Sequence, residues 1–73
     1  MSKFNSKIGQ QLRVARESKN ISCQRMADLL NCAKSTYSTY ERGLFSISIE
    51  NFIKACNFLG LDWTEVVKNA NKK

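Results

Sequence analysis

Apolar residues recur along the chain at three- and four-residue intervals between short polar stretches. This spacing predicts five helices and no strand. Over about 6–19, Ile8, Leu12 and Ala15 fall on one stripe, with Lys7, Gln11, Arg13 and Glu17 mostly off it. A second helix is expected over about 22–30. Ser22 is a good N-cap because its hydroxyl can accept an orphan backbone N–H. Met26, Leu29 and Leu30 form the apolar face, and Ala27 is small enough for a close approach. Asn31 follows, a residue that tolerates the left-handed conformation of helix ends. The third helix, about 33–42, has Tyr37 and Tyr40 on one side, Lys34, Ser35, Ser38 and Thr39 on another, and Gly43 after it. Leu44 to Ile47 reads as a loop with exposed hydrophobes. The fourth helix starts at the cap Ser48, carries Ile49, Phe52, Ile53, Cys56 and Leu59 as its stripe, and stops at Gly60. The fifth begins at Asp62, with Glu65 three residues on as in a capping box, and Trp63, Val66, Val67 and Ala70 as its face. Residues 69–73 are polar and expected to fray. The fold class is therefore all-α, one compact five-helix domain over 1–73.

Composition narrows the chemistry. A chain of 73 residues buries only about 60% of the surface its unfolded form exposes, so little is left for a second domain. Histidine is absent, which excludes Ser–His and Cys–His pairs and a Cys₂His₂ zinc site. The three cysteines, Cys23, Cys32 and Cys56, form no C-x-x-C. Their odd number without a secretory segment points to reduced thiols in the cytosol. No apolar run approaches the roughly 18 residues of a membrane span. No cofactor, metal, membrane or small-molecule ligand is expected, and no acid–base or ligand set marks an enzyme.

Charge points to a partner. Twelve Lys and Arg against six Asp and Glu give +6. In residues 1–42 eight basic residues face three acidic ones, leaving +5, while the remainder carries +1. A basic excess confined to one half favours an anionic partner, with nucleic acid first. The same half holds two short helices joined by the tight turn Leu30-Asn31-Cys32-Ala33, the second of them unusually polar. A helix-turn-helix needs this arrangement: one helix packs and crosses the phosphate backbone, and the next enters the major groove with side chains that reach base edges.

Ile21-Ser22-Cys23-Gln24-Arg25-Met26-Ala27 followed by Leu30 to Gly43 resembles the Cro/CI-type helix-turn-helix, also called the xenobiotic-response-element family. The likeness reaches upstream to Ile8-Gly9-Gln10-Gln11-Leu12 and downstream through Ser48-Ile49-Glu50-Asn51-Phe52 and Leu59-Gly60-Leu61, about 8–67 in all. It implies a lambda-repressor-like bundle with a central helix-turn-helix at about 22–42. By position, Arg16 and Glu41 match the family's buried ion pair. Lys34, Ser35, Ser38 and Thr39, with Ala33 at the head of the helix, match groove-facing, base-contacting positions. Ser22, Cys23, Gln24 and Arg42 match phosphate-contacting positions, with Arg13 and Arg25 adding charge there. The chain departs from the pattern at Cys23, where Gln is common. It also departs at Arg25, where Glu or Gln would complete a capping box, at Ala33, where Ser is usual, and at Cys32 and Tyr37, where Val and Ile are usual.

The resemblance implies a sequence-specific, double-stranded-DNA-binding transcriptional regulator. The expected form is a repressor acting as a homodimer on a palindromic operator, in the cytoplasm of a bacterial or phage-infected cell and on its nucleoid. Promoter occlusion and contact with RNA polymerase are both open mechanisms. The spacing from Glu41 to Leu59 is similar to that of restriction–modification controller proteins, and an antitoxin whose DNA binding is autoregulatory is a further alternative. Phe58, Leu61, Trp63 and Phe45, in the near-neutral half, are the candidate dimer surface, Phe58 because it falls off the main core stripe.

Overall fold

The computed structural model describes residues 3–71, and among these it contains α1 (Lys3–Ser18), α2 (Cys23–Leu29), α3 (Lys34–Glu41), α4 (Ile49–Leu59) and α5 (Trp63–Asn71), with no strand. α1 starts about one turn earlier than its stripe suggested. Phe4, one turn before Ile8, lines an apolar groove with it and extends the same face. At the other end, α5 runs through Asn71 and buries Ala70, so the first three residues of the expected tail are helical. Lys72 and Lys73 lie outside the described residues.

Local chemistry sets most of the boundaries. The Ser22 hydroxyl accepts the Arg25 N–H at 3.0 Å, and the Ser48 hydroxyl accepts the Asn51 N–H at 3.3 Å. One Asp62 carboxylate oxygen accepts both the Thr64 N–H, at 3.0 Å, and the Thr64 hydroxyl, at 2.6 Å. Each cap satisfies a backbone donor that a helix start leaves orphaned. Ala33 gives α3 no such bond. Asn20 and Asn31 both take φ 56°, closing α1 and α2, and Gly60 closes α4. Gly43, at φ 74°, also leaves no room for a side chain: a Cβ there would lie 2.6 Å from the Ser6 backbone. Gly9 matters for packing, because any Cβ would collide with the backbone oxygens of Tyr40 and Glu41. Glycine is what lets α1 rest against the C-terminal turn of α3.

The core forms where these helices meet. Leu12, Met26, Ala27, Tyr37, Ala55 and Cys56 are fully buried, with Ile8, Leu30, Phe52, Leu59, Val66 and Ala70 nearly so. α1 packs on α3, α4 and α5, and α2 packs on α3. The described helices are none of them long and apolar enough to cross a membrane. Two apolar positions differ from the stripe reading. Ile49 is 64% exposed and Trp63 is 39% exposed. Each is the first residue of its helix. Ala55 occupies the α4 core face instead, and Val66 and Ala70 occupy that of α5.

Candidate nucleic-acid interface

α3 is an eight-residue helix fixed to the core through one side only. Tyr37 is fully buried, and its ring meets that of Tyr40 edge-on at 6.5 Å. The opposite side is polar: Ala33, Lys34, Ser35 and Thr36 are exposed, and Ser38 and Thr39 are half-buried. Thr36, not singled out by the sequence pattern, is like Ser35 a small exposed hydroxyl residue in the first turn of this helix. Lys34 has no ion-pair partner among the described residues. The Thr39 hydroxyl donates to the Thr36 carbonyl at 2.6 Å.

Arg16 anchors this helix to α1. Its Nε donates to Glu41 Oε2 at 2.7 Å and its Nη2 to Glu41 Oε1 at 3.2 Å, a bidentate pair. Its Nη1 donates to the Ile21 carbonyl at 2.8 Å, so one guanidinium also holds the α1–α2 connection. The side chains are 12% and 6% exposed. Donating to the Glu41 carboxylate raises the Arg16 pKa above its ordinary value, against the opposing effect of burial. Tyr37 completes the cluster. Burial, and then the nearby Glu41 carboxylate, push its pKa up, yet its hydroxyl makes no hydrogen bond of normal geometry.

The residues expected at phosphates divide into three groups. Arg13, Arg16, Cys23, Ser38, Glu41 and Arg42 line one open pocket of about 280 Å³. Three guanidiniums against one carboxylate make it electropositive, suited to an oxyanion. Ser38, one turn from Lys34 and Ser35 on α3, also lines this pocket. Ser22 and Gln24 have local partners: Ser22 caps α2, and the Gln24 amide donates to Asp28 at 2.9 Å. Arg25 turns elsewhere, its guanidinium 5.8 Å from the centre of the Phe58 ring, within the range of a cation–π contact. Arg13 also lies 3.6 Å from Glu17 across one turn, an exposed pair of small energetic weight.

The four candidate interface hydrophobes stand at different places along the fold. Phe58, 37% exposed, is in the last turn of α4, and Trp63 opens α5. Phe45, 65% exposed, precedes the other end of α4. Leu61 is half-buried and lines a separate open groove with Val14 and Leu59.

Comparison with known proteins places this geometry. The family model described as Helix-turn-helix (HTH_3) matches residues 12–66. The chain is 33% identical over 64 residues to the SPbeta prophage-derived uncharacterized HTH-type transcriptional regulator YonR of Bacillus subtilis (strain 168), covering 88% of the chain and 59% of that relative. It is similar in structure to the clp gene regulator ClgR of Corynebacterium glutamicum. One solved structure gives a TM-score of 0.80 at 25% identity over 92% of this chain and 87% of that one. A second gives 0.83 at 25% identity, with 92% and 71% covered.

Proposed function

Since the chain belongs to the Cro/CI-type helix-turn-helix family of DNA-binding transcriptional regulators, we propose that it is a sequence-specific repressor that binds a palindromic operator as a homodimer. The observation that carries this reading is the pairing of two surfaces on one rigid frame. The polar side of α3 offers exposed Lys34 and Ser35 and half-buried Ser38 and Thr39 to base edges, and the arginine pocket of Arg13, Arg16 and Arg42 offers charge to the phosphate backbone. The Arg16–Glu41 pair holds the two in register. Contacts to phosphate position the protein, and contacts to bases select the site.

A single helix-turn-helix reads few base pairs. Two copies related by a dyad double the contacts and place half-sites one helical turn apart, about 34–36 Å. Repression follows from occupancy of a promoter in the cytoplasm, with RNA polymerase as the excluded or contacted partner. The test is selection of bound duplexes from a random-sequence DNA library at physiological salt. The expected result is a palindromic motif with half-sites spaced by one turn. Affinity for it should fall with salt, with a log–log slope near −0.9 per neutralised phosphate. An asymmetric motif would rule out the dyad, and no enrichment at all would rule out sequence-specific binding.

A further inference from the structure

The arginine pocket contains a nucleophile that phosphate binding does not use. Cys23, at a position where the family pattern commonly has Gln, is half-buried and lines the pocket with the three arginines, Ser38 and Glu41. An amide there could form only hydrogen bonds, whereas a thiol can also form a covalent one. The cavity of about 280 Å³ is open to solvent, so a small molecule can enter it. Cys23 acts electrostatically on Arg16, beside the buried ion pair. The Tyr37 hydroxyl comes to the same place from the core. It interacts with Glu41, Arg16 and Cys23, all of them pocket residues, yet is buried without a hydrogen-bond partner. It is a further donor at the inner wall for an acceptor that enters the pocket.

Charge decides which reagent this site favours. A cleft lined by guanidiniums raises the local concentration of anions and slows the approach of cations. Reactive thiols in general occupy electropositive, partly exposed surroundings. The other two cysteines lack them. Cys56 is fully buried, its thiol pushed up to about 11. Burial also raises the Cys32 thiol, and Cys32 is not among the residues of the pocket.

We propose that Cys23 is a thiol–disulfide exchange site for small anionic disulfides, and that the adduct switches off DNA binding, the second part resting on the repressor reading above. The Cys23 sulfur, as thiolate, attacks one sulfur of the disulfide. A new S–S bond forms and the old one breaks. The other half leaves as a thiolate and takes up the proton that Cys23 released, so Cys23 is oxidised and the departing half reduced. Carboxylates of the retained half then pair with the pocket arginines, where a DNA phosphate would otherwise bind.

The experiment treats the full chain with oxidised glutathione, an anionic disulfide, and with cystamine, a cationic one, and assigns the adducts by tandem mass spectrometry. At low salt, oxidised glutathione should modify Cys23 about tenfold faster than Cys32, and high salt should shrink that preference. Cystamine should show no preference for Cys23. The Cys23 adduct should stay folded by circular dichroism and weaken binding to a selected duplex about tenfold or more. Reduction by dithiothreitol should restore binding, and Cys32→Ser should respond as the wild type does. The site is overturned if Cys32 reacts as fast as Cys23, if both reagents modify Cys23 equally, or if the adduct unfolds the chain. The switch is overturned if the Cys23 adduct binds the duplex as tightly as the reduced protein. Failure of the unmodified protein to bind any duplex would bring down the repressor reading and the switch with it, while the labelling pattern still decides the site.

Discussion

Arg16 makes three hydrogen bonds to two segments, and that concentrates the cost of losing it or its partner. Glu41→Ala leaves a nearly buried guanidinium facing an empty site. The expected loss is about 3 kcal/mol, read as a lower urea midpoint with an unchanged slope. A Glu41→Ala protein as stable as the wild type would show that the pair contributes nothing to the fold. Tyr37 presents the reverse balance. Its hydroxyl is buried without a hydrogen bond while its ring fills the centre of the core. An unsatisfied buried polar group is unfavourable by about 1 kcal/mol or more, and Phe keeps the ring and its edge contact with Tyr40. Tyr37→Phe should therefore raise the urea midpoint, and a drop would mean that the hydroxyl is doing structural work through Glu41. Cysteines separate by the same reasoning. Burial, with the Asp62 charge added, pushes the Cys56 thiol up to about 11, and the residue is fully buried. At pH 8 it should stay unlabelled by a maleimide until the protein unfolds, as counted by mass spectrometry, while half-exposed Cys23 and Cys32 remain open to solvent.

At the scale of elements, α5 depends on a charged cap. Hydrogen bonds from the Thr64 hydroxyl and N–H hold the Asp62 carboxyl below the usual carboxylate range. Its folded pKa thus lies under its unfolded one, so the stabilisation is complete above the unfolded value and disappears as pH falls through the folded value. Below about pH 4 the wild type should lose stability more steeply than Asp62→Asn, whose side chain caps without ionising. Parallel stability curves for the two proteins would exclude a charged cap. Caps of this kind explain why the helices were readable from sequence: Ser22, Ser48, Asp62 and Asn31 act on backbone within three residues of themselves. Packing at helix starts was not readable. Ile49 and Trp63 satisfy the helical period, but the period carries no information about where the neighbouring helix ends. The site divides in the same way. The polar face of α3 is a local pattern and was legible, whereas Ser38 joins the arginine pocket through the crossing of α1 and α3. Arg25 meets Phe58 across 33 residues. Neither contact leaves a mark at short range.

At the scale of the whole molecule, the proposed homodimer would make the operator a palindrome, and its candidate hydrophobes stand toward two ends of α4. Phe45 lies four residues before Ile49, the exposed first residue of α4, and Phe58 and Trp63 lie toward the other end of that helix. A symmetric interface uses one patch on both copies. The patch containing Phe58 also holds Arg25, whose guanidinium faces the Phe58 ring. Aromatic residues and arginine are the side chains most enriched at interface centres, and burial would strengthen their cation–π contact. Phe58→Asp should therefore yield a monomer by sedimentation, with affinity for a full palindrome reduced toward that for a half-site. Phe45→Asp should remain dimeric. The reverse result would place the interface at the Phe45 end of α4. If both variants stay dimeric, neither patch is the contact, and the open groove lined by Val14, Leu59 and Leu61 becomes the surface to substitute next. A Phe58→Asp monomer whose melting curve stays cooperative would also separate assembly from folding. The basic half of the chain would then keep its salt-dependent attraction to DNA while losing the doubled contacts that make binding to a palindrome tight.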